Sequence, residues 1–225
     1  MLSEMFYKLW DSGLIQSVIW ETVYMTFISS AFAYLIGLPL GVILNITDTK
    51  GICPHRVLNR VLGFVVNFFR SIPFIILMVA MLPVAKLIVG TSLGNKAVIV
   101  MLIIAAAPYV ARMCESSLNE VNAGVIEAAQ SMGANNFEII TKVLIPEAKP
   151  ALITGAAISI VTILGYSAMA ATIGGTGLGQ IAIIYGHQRS NPDITWICVF
   201  LTVIIVQIIQ ELGMFIAHKT DKRAH

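Results

Sequence analysis

The chain has 225 residues, 57% of them hydrophobic and 12% charged, with a mean hydropathy of +0.86 and a formal net charge of +2. A soluble domain carries about 25% charged residues, so half the usual charge is missing and a water-soluble fold is excluded. Cys53, Cys114 and Cys198 lie far apart with no metal-ligand spacing, and His55, His187, His218 and His225 all fall outside the apolar stretches, which counts against a bound metal or a haem.

Residues 1–20 interrupt Met5, Phe6, Leu9 and Trp10 with Glu4, Lys8 and Asp11, the pattern of an interfacial helix rather than a cleaved signal. Residues 21–217 are read as one transmembrane domain. A helix needs about 20 apolar residues to cross the hydrocarbon, and five stretches qualify: 23–44, 68–89, 92–114, 151–171 and 194–216. Residues 57–67 are apolar enough to join the second stretch. Arg70 would then sit at membrane depth, which is costly, so that span is expected to start at the interface with Pro73 just inside. Lys86, Lys96 and Arg112 are read as snorkelling heads near span ends. Residues 218–225 form a polar tail.

The single long polar stretch, residues 115–150, has its own helical logic. Val125, Ile126, Ala129 and Met132 fall on one helix face, and Gly133 follows as a left-handed C-cap. Asn135 then suits an N-cap with Glu138 three residues on. The second helix carries Ile139, Ile140, Val143 and Leu144, and Pro146 is expected to stop it. The result is a helix, a glycine turn and a helix: a short bracket whose first arm Ala128 and Ala129 keep thin. A DNA-binding helix-turn-helix has the same outline, but Lys142 stands among Glu127, Glu138 and Glu147, and phosphates need cations. No nucleic acid is expected.

Lys and Arg set the orientation. Lys50, Arg56, Arg60, Arg112, Lys142, Lys149, Lys219, Lys222 and Arg223 fall on one side, and Lys8, Lys86, Lys96 and Arg189 on the other: nine against four, Arg70 set aside. The N-terminus is thus expected outside (periplasmic in a bacterium), with the bracket and C-terminus in the cytoplasm.

No G-x-x-x-x-G-K-[ST] occurs, so the chain does not hydrolyse nucleotide through a phosphate loop. Residues 174–179 (GGTGLG) follow a span rather than a soluble strand and are read as a flexible extracellular turn. Gly165-Tyr166-Ser167-Ala168 faintly suggests a serine protease, but no histidine lies in any span to serve as base. No catalytic residue, cofactor or metal is assigned. Five spans cannot divide into equal repeats and are too few for a closed passage, which points to a pathway between two copies. The small residues 155–159 (GAAIS) could serve that contact or packing within one subunit. An oligomeric passive channel or facilitator is the competing class.

Glu127-Ala128-Ala129, Gly133 and Val143-Leu144-Ile145-Pro146 resemble the cytoplasmic EAA loop of permease subunits in bacterial ABC importers. The usual Ile-x-Leu-Pro ending carries Val143 and Ile145 here. Residues 68–74 (FFRSIPF), 107–112 (APYVAR), 165–170 (GYSAMA) and 174–179, with Tyr185, Gly186 and Arg189, resemble the permease of methionine-uptake importers. The resemblance covers residues 14–216. It implies an all-α type I importer fold, a permease homodimer in the inner-membrane lipid, two cytoplasmic ATPase copies that bind the ATP and Mg, and a periplasmic substrate-binding lipoprotein. It also makes the bracket a coupling helix, with Glu127, Ala128, Ala129, Gly133, Ile145 and Pro146 as coupling residues. The implied substrate is methionine of either hand or a close derivative; another small amino acid is the alternative. Tyr166, Ser167 and Met169 are the candidate pathway or gate residues, because they lie in a charge-free span among Gly165, Ala168 and Ala170. Core packing is the competing reading for Tyr166 and Met169.

Overall fold

The computed structural model describes residues 10, 11 and 13–221, and among these it contains helices and no strand. The expected interfacial helix at 1–20 and the tail at 218–225 therefore fall partly outside the described residues. In chain order the helices are α1 (Leu14–Thr47), α2 (Arg56–Ser71), α3 (Phe74–Ala80), α4 (Leu82–Val89), α5 (Asn95–Asn119), α6 (Ala123–Ser131), α7 (Asn136–Ile173), α8 (Leu178–Gln180, continued by Ile181–Gln188) and α9 (Pro192–Thr220). Four are long and apolar enough to cross a membrane: α1, α5, α7 and α9. The broken pair α2 and α3 would make a fifth span.

Several boundaries differ from the sequence expectation, each for a local reason. At 1.5 Å per residue, the 34 residues of α1 extend for about 51 Å, beyond a hydrocarbon core of about 30 Å. Residues 14–20 are thus continuous with the helix of the first span and do not form a separate helix. The second span is not one helix from 68 to 89. Pro73 (φ −53°, ψ 135°) is extended, as a proline and its predecessor prefer, and separates α2 from α3. Met81 (φ −91°, ψ 0°) leaves helical geometry just before Leu82 and Pro83 and separates α3 from α4. Gly90, at φ 78°, then caps α4 in the left-handed conformation.

The third span starts at Asn95 rather than 92 and continues to Asn119, which leaves Arg112 about two turns from the helix end. The fourth departs furthest. Pro146 does not stop the second arm of the bracket; α7 runs unbroken from Asn136 through Pro146 and Pro150 to Ile173. The reason lies just upstream. Ile139–Leu144 winds as wide π turns, and Ile145 N–H donates to Ile140 O, five residues back. A wide turn moves the preceding carbonyls out of the path of the proline ring, so the helix passes where a regular α turn would clash. The fifth span matches its expected place and extends it at both ends. Helix α8 occupies a stretch read only as turn and loop.

The contacts divide the chain into two units. The first comprises residues 1–32, 72–106 and 160–209. Its core gathers Val18, Leu178, Ile181, Ile194 and Cys198, with Leu14, Tyr185 and Ile205 against them. The second comprises residues 33–71, 107–159 and 210–225. There α1 and α5 approach closely at two glycines, since a Cβ on Gly37 would meet Val110 and Ala107, and one on Gly41 would meet Ala111 O at 2.6 Å. Small residues at spacing four let helix backbones touch where lipid supplies no hydrophobic drive. Ala157 blocks a Cβ at Gly213, and a Cβ on Gly155 would lie 3.5 Å from Met113 and Ser117. Gly155, Ala157 and Ser159 of the small run therefore pack within the chain, while Ile158 is exposed.

Candidate functional site

The bracket lies wholly in the second unit, and side-chain-to-backbone bonds close both its ends. Asn122 caps α6 by accepting from Gly124 N–H at 2.8 Å. At the other end of α6, Gly133 N–H donates to Gln130 O at 2.9 Å and Ala134 N–H to Ala129 O at 3.1 Å. Gly133 has φ 83°, as its reading as a left-handed cap requires. Asn135 then opens α7 with a reciprocal capping box. Its Oδ1 accepts from Glu138 N–H at 2.9 Å, while Glu138 Oε2 accepts from Asn135 N–H at 3.2 Å. Glu138 Oε1 also accepts from Lys142 Nζ at 3.0 Å. A cap of this kind is worth about 1 kcal/mol, and it fixes the start of α7 directly after the turn that ends α6.

The inner side of the bracket packs on a small core of Leu118, Val121, Leu144 and Ala148, with Ile126 and Ile145 against it. Ala129 and Ile139 are buried as well. The expected apolar face of the first arm is therefore only half right. Ile126 and Ala129 turn inward, whereas Val125 is exposed and Met132 is 82% exposed. Phe137, on the other side of Gly133, is 73% exposed. Glu127, Ala128 and Pro146 are exposed too. Glu127 and Gln130 line a groove of about 480 Å³ together with Asn45, Asp48 and Lys50.

Sequence reasoning missed the braces around the bracket. Asn45 Nδ2 donates to Asn119 Oδ1 at 2.7 Å, and Asn136 Nδ2 lies 2.9 Å from Cys53 Sγ, so the last turn of α1 holds the entry to the bracket and the loop after α1 holds its second arm. Arg112 Nη1 meets Glu115 Oε2 at 2.6 Å, and Nη2 donates to Gly63 O at 3.2 Å, which ties α5 to α2. The i,i+3 spacing of that opposite pair was visible in the sequence; the asparagine pairs carry no sequence signal.

The three pathway candidates lie in the first unit and face different ways. Tyr166 stacks flat on Phe74, ring centres 4.5 Å apart and planes 6° from parallel. Ser167 is buried, and its Oγ donates to Leu164 O at 2.7 Å on its own helix. Met169 is 47% exposed at the end of the α-helical part of α7. The 174–179 turn beside them is packed, not flexible. Thr176 N–H and Oγ1 both bond Asn95 Oδ1, at 2.9 and 2.8 Å, and Leu178 N–H donates to Thr22 Oγ1 at 2.9 Å. Among the described residues no cluster of His, Cys, Asp and Glu could hold a metal ion.

Long apolar helices, a broken span and one capped bracket outside them define a multi-pass membrane protein of the permease class. The chain belongs to the family described as "Binding-protein-dependent transport system inner membrane component", which matches residues 37–223. It is 49% identical over 213 residues to the probable D-methionine transport system permease protein MetI of Vibrio cholerae, covering 95% of each chain. It is 44% identical over 204 residues to the methionine import system permease protein MetP of Bacillus subtilis, covering 91% of this chain and 92% of that one. Among solved structures, it superposes on an inward-facing conformation of the MetNI methionine ABC transporter with a TM-score of 0.91 at 45% identity, over 93% of this chain and 97% of the other. An amino acid ABC transporter crystallised with histidines, 18% identical with a TM-score of 0.78, shares the fold.

Proposed function

We propose that the chain is the membrane permease of an ATP-driven importer of methionine, and that its bracket is the element an ATPase partner grips. Similarity to methionine permeases along nearly the full length of both chains supports the substrate class. The observation that carries the coupling role is the bracket's tip: Met132 and Phe137, both large, apolar and exposed, flank a rigidly capped glycine turn outside the apolar spans. Such a tip suits a groove in another protein, where a few buried apolar anchors supply most of the binding energy.

In this reading two copies of the permease form the passage, and two cytoplasmic ATPases hold ATP and Mg. A binding lipoprotein delivers substrate at the periplasmic face. The N-terminus is periplasmic, and the bracket and C-terminus are cytoplasmic, as the Lys and Arg count suggests. ATP draws the ATPases together and carries the brackets with them. Because α7 continues from the bracket into the membrane without a break, a displacement at Asn136 moves the helix that bears Tyr166, Ser167 and Met169. ATP thereby acts through differential affinity for two arrangements of the spans. Glu127, Ala128, Ala129, Gly133, Ile145 and Pro146 build the coupling element; Tyr166, Ser167 and Met169 are the passage residues, with Met169 exposed to meet a substrate.

The test is Phe137→Ser with Met132→Ser in membranes of equal permease content. Co-purification of the ATPase should fall at least tenfold, the loss of about one anchor, and ATP-dependent methionine uptake should fall with it. Normal association, or uptake that proceeds without ATP, would sink the coupling role and favour a passive facilitator. Orientation has its own check. With the native cysteines replaced, Gln188→Cys should react with an impermeant thiol reagent in intact spheroplasts and Ala134→Cys should not.

A further inference from the structure

At the C-terminal end of α1, the apolar helix gives way to polar residues, and the chain turns back into α2. Between them lies a cavity of about 400 Å³ lined by Thr47, Thr49, Arg56, Asn59 and Arg60. Its wall is held by Asn59 Nδ2, which donates to Leu44 O at 2.7 Å and Thr47 Oγ1 at 3.2 Å. Arg56 and Arg60 are one turn apart on α2, so both guanidinium groups serve the same cavity. Neither has a carboxylate partner among the described residues. Asp48, close by in sequence, lines the neighbouring groove with Lys50 instead. The cavity also sits at the first turn of α2, a 16-residue helix; His55 Nδ1 accepts from Leu58 N–H there at 3.1 Å, and the positive end of the helix dipole favours an anion.

A free anion would need only that polar cup. The same helix provides more. Val57, Val61, Phe64 and Phe68, at i, i+4, i+7 and i+11, are 70%, 55%, 69% and 55% exposed and form an apolar track leading away from the cavity. A paired-arginine cup at the end of a membrane span, with an apolar track beginning at its edge, matches a molecule with a phosphate head and an acyl tail. We propose that this cavity binds the phosphodiester headgroup of an anionic membrane phospholipid, with an acyl chain lying along α2. Bidentate guanidinium contacts suit a phosphodiester better than a lysine would, and basic pockets at span ends concentrate anionic headgroups. The site shares none of its lining residues with the bracket and needs neither the ATPase nor the substrate assigned above.

The full chain, purified with whatever subunits accompany it, is titrated with dioleoyl phosphatidylglycerol, dioleoyl phosphatidylcholine or inorganic phosphate, and bound lipid is read by native mass spectrometry. The wild type should prefer the glycerol lipid by about tenfold or more, and R56Q and R60Q should each reduce that preference about fivefold, the surface value of one cation. R70Q removes the same charge at the far end of α2, outside the cavity, and should leave the preference intact. R56K/R60K keeps the charge and should fall between wild type and the double glutamine variant, which also guards against a folding defect. Wild-type preference in R56Q/R60Q overturns the site. An equal loss in R70Q overturns it too, by making the attraction diffuse. Displacement of the lipid by millimolar inorganic phosphate would make the ligand a free anion and defeat the proposal.

Discussion

Two glycine turns end helices of this chain and obey different physics. At Gly133 the backbone is left-handed, φ 83°, and a Cβ would meet nothing within 4 Å. The constraint there is conformational. Residues 174–179 also contain left-handed positions, Gly174 at φ 81° and Gly177 at φ 109°, but their surroundings are full. A Cβ on Gly175 would lie 2.9 Å from Ala170 O, one on Gly177 2.6 Å from Thr22 Oγ1, and one on Gly179 would run into the Ala168 backbone. The constraint here is mainly steric. An open turn can be remodelled without disturbing its neighbours; a packed one cannot. The first suits an element that docks and moves, the second an element that fixes helix ends in the first unit.

The sharpest test of that contrast is Gly179→Ala. A single methyl group must displace backbone, not a flexible side chain, so we expect a loss of about 3 kcal/mol or more and poor yield of folded protein, read by thermal unfolding in detergent. An ordinary yield and melting temperature would show that the packed turn gives way, and the comparison would fail at its stronger end.

Gly133→Val comes next. Valine at φ 83° costs about 2 kcal/mol, more than alanine because of its β-branch, and that cost falls on an exposed turn. Membrane insertion and global stability should therefore persist while ATPase association and methionine uptake collapse. Both remaining normal would remove the bracket from its assigned role. Asn135→Ala should be milder: it removes one cap worth about 1 kcal/mol and leaves Glu138 bound to Lys142. The expected signature is faster hydrogen exchange at Asn136–Glu138 with partly reduced uptake.

What the sequence made legible follows the same division. The bracket was readable because its determinants are local: a glycine, an asparagine and a glutamate within six residues, each bonding its own backbone. The second turn was not, since the letters GGTGLG cannot report that Asn95 and Thr22, dozens of residues upstream, bond into it. Pro146 misled for a related reason. Proline as a helix stop is a tendency, not a rule: helices pass Pro39, Pro108 and Pro150 as well, and at Pro146 the wide turns of Ile139–Leu144 make room for the ring. The five-span count rested on apolar length, which composition supplies, whereas the break of the second span at Pro73 and Met81 lay inside that length and left hydropathy unchanged. Among the pathway candidates, their place in a charge-free helix was legible; the turning of Ser167 toward Leu164 O was not.

The smallest expected effect discriminates most finely. Asparagine is the non-glycine residue that best tolerates the left-handed region, so Gly133→Asn should cost only a few tenths of a kcal/mol in the isolated turn. Among the described residues, chain neighbours aside, nothing lies within 4 Å of the added Cβ. If the demand at 133 is for backbone conformation alone, Gly133→Asn should match the wild type in thermal stability and retain most of its uptake, far above Gly133→Val. A variant as stable as the wild type but as inactive as Gly133→Val would mean something else. The missing side chain at 133 would then be making room for a partner surface that presses against the tip between Met132 and Phe137. In that case the open turn would be open only until its partner docks, and both turns would prove to be limited by sterics, one by its own chain and one by another protein.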